Sequence, residues 1–194
     1  SRAGSEPEVR RYWTLRYEPK LRIGIDDACA EVRRLVDRAV ERRLISDVPL
    51  GAFLSGGLDS STVVAYMARR SARPVKTFSV AFHDARYDES RYARIVARAF
   101  GTDHHELAVD ATDADVLPML VRHLGEPFAD SSIVPTYHIA KATRPHVTVA
   151  LTGDGGDELF AGYDRYRAAA IARRIPAPVA SGLAVLGRML PARD

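Results

Sequence analysis

Seven consecutive residues, Ser55-Gly56-Gly57-Leu58-Asp59-Ser60-Ser61, combine the properties needed to hold a phosphate. Two adjacent glycines can take the positive φ values that turn successive backbone N–H groups into one anion-binding concavity. The serines add hydroxyl donors, and a helix beginning after the glycines would present its positive end to the anion. The loop is not the common G-x-x-x-x-G-K-[ST] phosphate loop, because no lysine follows. Asp59 conflicts with a bare phosphate, since two such charges in contact repel by several kcal/mol at protein-like dielectric. A divalent cation shared by carboxylate and phosphate oxygens removes the conflict. Mg2+ favours that combination of one or two carboxylates with phosphates and water. Asp59 is therefore read as a metal ligand, with a helix cap as the alternative, because Asp and Ser are common at helix starts.

A second loop, Gly153-Asp154-Gly155-Gly156-Asp157-Glu158, carries three carboxylates and three glycines. Alone it is either a solvated turn or a cation loop, and the alternating oxygen ligands and closing Glu of an EF-hand are missing. Its glycines let backbone approach a ligand closely. Asp157 is the natural second ligand for the same Mg2+ if the two loops face each other. His104-His105 are poor partners for one ion, since neighbours on a strand point to opposite faces, so both are read as structural. The single cysteine, Cys29, sits in an expected amphipathic helix and is read as a buried structural thiol. Tyr163, Tyr166 and the Trp13 region are read as packing.

Both loops need a scaffold that aims them at one point. Residues 1–25 mix charge, Pro7, Pro19 and aromatics, and read as an extended lead-in. Asp26-Asp27 offer an N-cap to a helix over Ala28–Leu44, whose apolar residues recur at helical spacing. Strands are expected over Val48–Leu54, Val75–Phe82, His105–Val109 and Val147–Thr152. Helices are expected over Ser60–Arg70, Asp88–Phe100 (stopped by Gly101), Ala114–Leu124, Ser132–Thr143 and Asp164–Arg174. Alternating strands and helices predict an α/β fold: an open, doubly wound, mostly parallel sheet with helices on both faces. In such sheets ligands collect at the carboxyl ends of strands, where both loops fall.

The 194 residues suffice for one sizeable domain, here residues 26–175, with 176–194 as the start of a further region. At 46% apolar and 27% charged residues the composition is that of an ordinary soluble domain, with no run long enough to span a bilayer. The first residues lack the apolar core of a secretory signal. One cysteine fits a reducing cytoplasm. The net charge of +3 is spread over several helices, so no nucleic-acid surface is read, though the excess favours an anionic ligand such as a nucleotide.

The first loop resembles the pyrophosphate loop of the N-type ATP pyrophosphatases, which GMP synthetase, tRNA-modifying and NAD synthetase relatives share. Leu151-Thr152-Gly153-Asp154-Gly155-Gly156-Asp157-Glu158-Leu159-Phe160-Ala161-Gly162-Tyr163 narrows this to the glutamine-dependent asparagine synthetases, as do Gly101 to Glu106 and Glu126 to Ser132. The resemblance implies an adenine nucleotide alpha hydrolase-like (PP-loop) fold. It implies that ATP lies on Leu54, Ser55, Gly56, Gly57, Asp59, Ser60 and Ser61, with adenine near Val80 and the site completed by Thr152 and Gly153. Asp59 and Asp157 would hold Mg2+ and act in catalysis. Asp154 stands where many relatives have a Glu that helps form the adenylate, so its shorter reach leaves its role less defined. Asp130, Ser131 and Ser132 would bind the amino-acid substrate, with a plain helix cap equally open. Aspartate would be adenylated, and ammonia from a glutaminase domain would displace AMP. Residues 1–25 would then lead in from that domain, and the chain would be a fragment lacking also a downstream lysine that contacts pyrophosphate. Homodimerisation is left open. Two alternatives stand beside this: the same adenylation on another acceptor, as in a β-lactam synthetase-like or polysaccharide amidotransferase, or a non-catalytic nucleotide-binding domain.

Overall fold

The computed structural model describes residues 8–81, 89–108, 114–130, 132–174 and 176. Two units are separable, Ser1–Val36 and Asp37–Asp194. In the first, residues 8–24 form neither helix nor strand, and Tyr12, Trp13 and Tyr17 are exposed, so they do not pack as expected. Helix α1, Ile25–Arg43, begins in this unit. Asp26 and Asp27 lie inside its first turn, where they favour the positive helix end, instead of capping it from outside. Cys29 is only partly buried, contrary to its reading as a core thiol.

In the second unit four strands alternate with helices: β1 (Leu50–Phe53), α2 (Leu58–Arg70), β2 (Lys76–Ala81), α3 (Ser90–Phe100), β3 (Asp103–Ala108), a 3-10 turn (Ala114–Val116), α4 (Leu117–Leu124), α5 (Ile133–Thr143), β4 (Val149–Leu151), α6 (Gly156–Phe160) and α7 (Asp164–Ala172). Every pairing is parallel and the strand order is β3-β2-β1-β4. Right-handed crossovers put α2 and α3 on one face. The return from β3 to β4 crosses the sheet in the other direction and brings α5 against β2 and β3, on the opposite face by the right-handed rule for parallel crossovers. The doubly wound α/β fold expected from the sequence is therefore present.

The core is short-stranded and dense. Ala52, Leu54, Val64, Met67, Phe78 and Ala93 are almost wholly buried. Gly51 is required inside β1 because a Cβ there would lie 2.8 Å from the Lys76 carbonyl oxygen and 2.9 Å from the Phe78 ring. The two histidines of β3 face opposite ways, as their adjacency predicts. His104 Nδ1 meets Thr77 Oγ1 at 2.9 Å and its Nε2 meets Ser79 Oγ at 3.3 Å. His105 stacks on Phe78 at 5.3 Å and lies 4.7 Å from the His146 ring. On the outside, Arg70 at the end of α2 makes paired contacts of 2.7 and 2.6 Å to Asp37 and a further one of 2.6 Å to Glu41.

Several boundaries move by a few residues. The expected Ala114–Leu124 helix divides into the 3-10 turn and α4, with Pro118 near the start of α4, a position that tolerates its missing N–H. Phe82, Asp88 and Val109, the expected ends of three elements, lie outside the described residues, as does all of the expected region 176–194 beyond residue 176.

Candidate active site

The strand order places a topological switch point beside β1, whose neighbours are β2 on one side and β4 on the other. That is where open α/β sheets bind ligands, at the carboxyl strand ends. The chain leaves β1 through Leu54, whose N–H donates to the Phe78 carbonyl oxygen at 2.8 Å, and enters the phosphate-loop sequence. Gly56 takes φ 86° and lies so close to α3 that a Cβ would stand 2.5 Å from backbone atoms of Tyr92 and Ala93. Gly57 is the N-cap of α2, with no side-chain cap bond. Asp59 is in the first helical turn, so the cap alternative for Asp59 fails. Ser55 Oγ accepts from the Gly57 N–H at 3.1 Å and shares a 3.0 Å hydrogen bond with Ser60 Oγ.

The loop after β4 comes up against this one. A Cβ on Gly153 would lie 2.7 Å from Ser60 N and 3.0 Å from the Asp59 carbonyl carbon. A Cβ on Gly156 would overlap the Asp59 carboxylate. The glycines thus let backbone approach backbone, as well as leaving room for a ligand. Gly155, at φ 91°, precedes a five-residue helix, α6, which the sequence reading missed by treating this stretch as loop. Asp157 and Glu158 are both in its first turn.

Between the two loops and α5 lies a cavity of about 750 Å3. Five carboxylates line it: Asp59, Asp130, Asp154, Asp157 and Glu158. No Lys, Arg or His is among its described lining residues. Three of the acids are held by protein donors. Asp130 Oδ1 accepts from the Ser132 N–H at 2.9 Å, which holds its carboxyl below the usual range. Asp154 Oδ2 accepts from Thr152 Oγ1 at 2.8 Å. Glu158 Oε1 accepts from the Tyr163 hydroxyl at 2.7 Å, which lowers the carboxyl pKa and raises that of the phenol. Among the described residues neither the Asp59 nor the Asp157 side-chain carboxylate has a protein hydrogen bond or ion pair. Two unpartnered carboxylates on facing loops, in a cavity large enough for a polyphosphate, have the hard-oxygen donor character that suits Mg2+. By themselves they are too few for an all-protein cage, and no cluster of three or more ligating side chains occurs among the described residues.

A smaller, mostly apolar cavity of about 170 Å3 adjoins the first through Phe53, Ser55 and Ile139, and includes Leu54, Phe78 and Val80. Its polar lining residues besides Ser55 are Ser79 and Glu89.

Most of the expected site residues therefore gather at one place. Ser55, Gly57, Asp59, Ser60, Asp130, Ser132, Thr152, Gly153, Asp154 and Asp157 line the larger cavity, while Leu54 and Val80 line the smaller. Gly56 and Ser61 line neither. Gly56 packs on α3, and the Ser61 hydroxyl is buried without a partner. Ser131 lies outside the described residues. The sequence reading missed Phe53, Thr136, Ile139 and Tyr163, all of which line the larger cavity. Tyr163 had a visible signal, since it closes the second motif, but was read as packing.

The asparagine synthase family model matches residues 31–193. Curated relatives include asparagine synthetase [glutamine-hydrolyzing] 1 of Bacillus subtilis, 41% identical over 143 residues, which cover 73% of this chain and 22% of that protein. A putative asparagine synthetase [glutamine-hydrolyzing] 2 of Methanocaldococcus jannaschii is 43% identical over 169 residues, covering 84% and 32% respectively. Amidase chyE of Penicillium rubens is 35% identical over 190 residues, covering 87% and 28%. The chain spans between about a fifth and a third of the length of these relatives. Among solved structures, NMN synthetase from Francisella tularensis aligns at TM-score 0.44 and 10% identity, covering 73% of this chain and 59% of that one. With a family match over most of its length and both signature loops built into one cavity, this chain belongs to the asparagine synthase family.

Proposed function

We propose that this chain carries the adenylating site of an ATP-dependent amide ligase, with residues 26–175 as the adenylating domain and 1–25 leading into it. The observation that carries this reading is the division among the five carboxylates: three are held by protein donors, and Asp59 and Asp157 are left for a cation. A triphosphate entering a chamber lined by acids, with no basic side chain among its described lining residues, needs that cation. Bound Mg2+ supplies charge neutralisation for the pyrophosphate leaving group.

The chain's own residues do the rest. The slot by Val80 and Leu54 takes the adenine, and the Ser55 to Ser60 turn at the start of α2 takes the phosphates. Asp130 and Ser132 at the start of α5 orient the acceptor. An aspartate side-chain carboxylate oxygen attacks the α-phosphorus, forming the acyl–phosphate bond as the bond to pyrophosphate breaks. Ammonia, supplied by glutamine hydrolysis elsewhere in the whole protein, then attacks the acyl carbon. AMP leaves, one proton is lost, and the amide of asparagine remains.

A second reading keeps the adenylation and changes the acceptor. Asp154 lines the chamber with one carboxylate oxygen held by Thr152, and it is one carbon shorter than the Glu of many relatives. Pyrophosphate release by the full-length protein, with ATP, Mg2+ and a panel of acceptor carboxylates, tests both readings. Aspartate-dependent release that disappears in Asp59→Asn supports the first, and release with another acceptor alone supports the second. Tight nucleotide binding with no release under any acceptor rejects both in favour of a non-catalytic domain.

A further inference from the structure

Helix α6 ends in a tight reversal. Ala161 takes φ 57°, the one positive φ outside glycine among the described residues, and the Gly162 N–H donates to the Asp157 carbonyl oxygen at 3.1 Å. The reversal lets Tyr163 turn back and bond Glu158. It also lays Gly162 directly on Asp157. A Cβ at position 162 would stand 2.8 Å from Asp157 Cγ and 3.2 Å from its Cα, and would overlap Oδ1. Gly162 does not have the positive φ that would demand glycine for conformational reasons. What excludes a side chain is space, and the side chain filling that space is the Asp157 carboxylate.

We infer that Gly162 is a positioning residue for Asp157: the missing side chain leaves the seat in which that carboxylate lies while facing the chamber. With any larger residue at 162 the carboxylate must rotate away, and the two free acids no longer hold their relative placement. This rests on reading Asp157 as a cation ligand. It goes beyond that reading in assigning the placement of Asp157 to a residue that touches neither cation nor substrate. A glycine needed only to let the chain leave α6 would affect stability and nothing else, and its effect would not depend on the side chain at 157.

The test is a mutant cycle in the full-length protein with Gly162→Ala, Asp157→Ala and both together. It is read by thermal unfolding and by Mn2+ binding, followed by electron paramagnetic resonance in the presence of a non-hydrolysable ATP analogue. Gly162→Ala is expected to lower the unfolding midpoint by roughly 3–8 °C, the range for an overpacked contact in a domain of this size. It is expected to raise the Mn2+ dissociation constant about tenfold, as for a displaced ligand-holding partner. In the double variant the stability loss disappears, because the group it collides with is gone, and Mn2+ binding is no weaker than in Asp157→Ala. Additive stability losses overturn the inference, as does a folded Gly162→Ala protein that binds Mn2+ like the parent. If Asp157→Ala binds Mn2+ unchanged, the cation reading itself fails, while the stability half of the cycle still shows whether Gly162 seats Asp157.

Discussion

Replacing Gly153 with alanine should reveal how closely the two loops must approach for chemistry to occur. The added Cβ would stand 2.7 Å from Ser60 N, about 0.7 Å inside the 3.4 Å at which ordinary contact begins. It would also stand 3.0 Å from the Asp59 carbonyl carbon. Both are backbone atoms, so no rotamer change relieves the overlap and one loop must shift by a similar distance. A misplacement near 1 Å lowers a positioned reaction by about a hundredfold. Gly153→Ala is therefore expected to lower kcat/KM for pyrophosphate release by roughly 10- to 100-fold, about 1.4–2.7 kcal/mol of barrier. Overpacking of this kind also lowers stability by about 1–3 kcal/mol, so a control is needed that destabilises without touching the site. Gly101→Ala serves: φ is 61°, with no atom within 4 Å of the added Cβ, so its loss of about 1 kcal/mol is purely conformational. Both variants would be assayed in the full-length protein well below their unfolding temperatures. A loss in Gly153→Ala no greater than that in Gly101→Ala would refute the loop-spacing argument.

Other expectations follow from the same geometry. Asp59→Asn should raise the Mg2+ concentration for half-maximal pyrophosphate release by about tenfold or more, whereas Asp154→Asn should act mainly on the acceptor KM; a Mg2+ and acceptor titration separates them. Val80→Asp puts a charge into the apolar slot and should weaken ATP binding by about 2 kcal/mol, read with a fluorescent nucleotide. Burial holds the His104 pKa below its ordinary 6.5, so the folded protein favours the neutral ring. The stability this contributes is complete above pH 6.5 and declines as the pH falls from there toward the lower folded value. His104→Gln should flatten that decline in thermal midpoints measured between pH 7 and 5.

The site's framework is legible in the sequence wherever chemistry and backbone rule coincide. The apolar run ending at Leu54 followed by Ser55-Gly56-Gly57 suits a buried strand turning into a loop, and β1 and α2 follow. The loop after β4 is harder, because three glycines in four residues have low helix propensity, yet the chain turns helical from Gly156. There Gly156 packs against the Asp59 carboxylate, a tertiary contact that helix propensity does not register. Ser61 illustrates the limit of motif reading. It shares the loop's composition, but three residues before the fully buried Val64 it lies on the inward side of α2 and lines neither cavity. Ile139 and Thr136 are invisible for the opposite reason: nothing in α5 marks them as ligand-facing until the return crossover lays that helix over the sheet.

The pairing of β1 with β4 has a consequence for how the protein comes into being. Leu50 is registered with Val149, about a hundred positions later in the chain. A ribosome adding roughly 5–20 residues per second needs on the order of ten seconds to cover that distance. During that interval β1, β2 and β3 can pair with their sequence neighbours, while the flank of β1 that will receive β4 has no partner. The nascent chain thus carries an open parallel edge, the kind of surface that invites mispairing. On the proposed function, nucleotide would bridge the two loops only once the second exists, so its stabilisation would reach the fold only at the end of this stretch. Among the described strands the latest-made is also the shortest, at three residues, so the second loop, and with it the cavity between the loops, is the last part of this sheet to be completed.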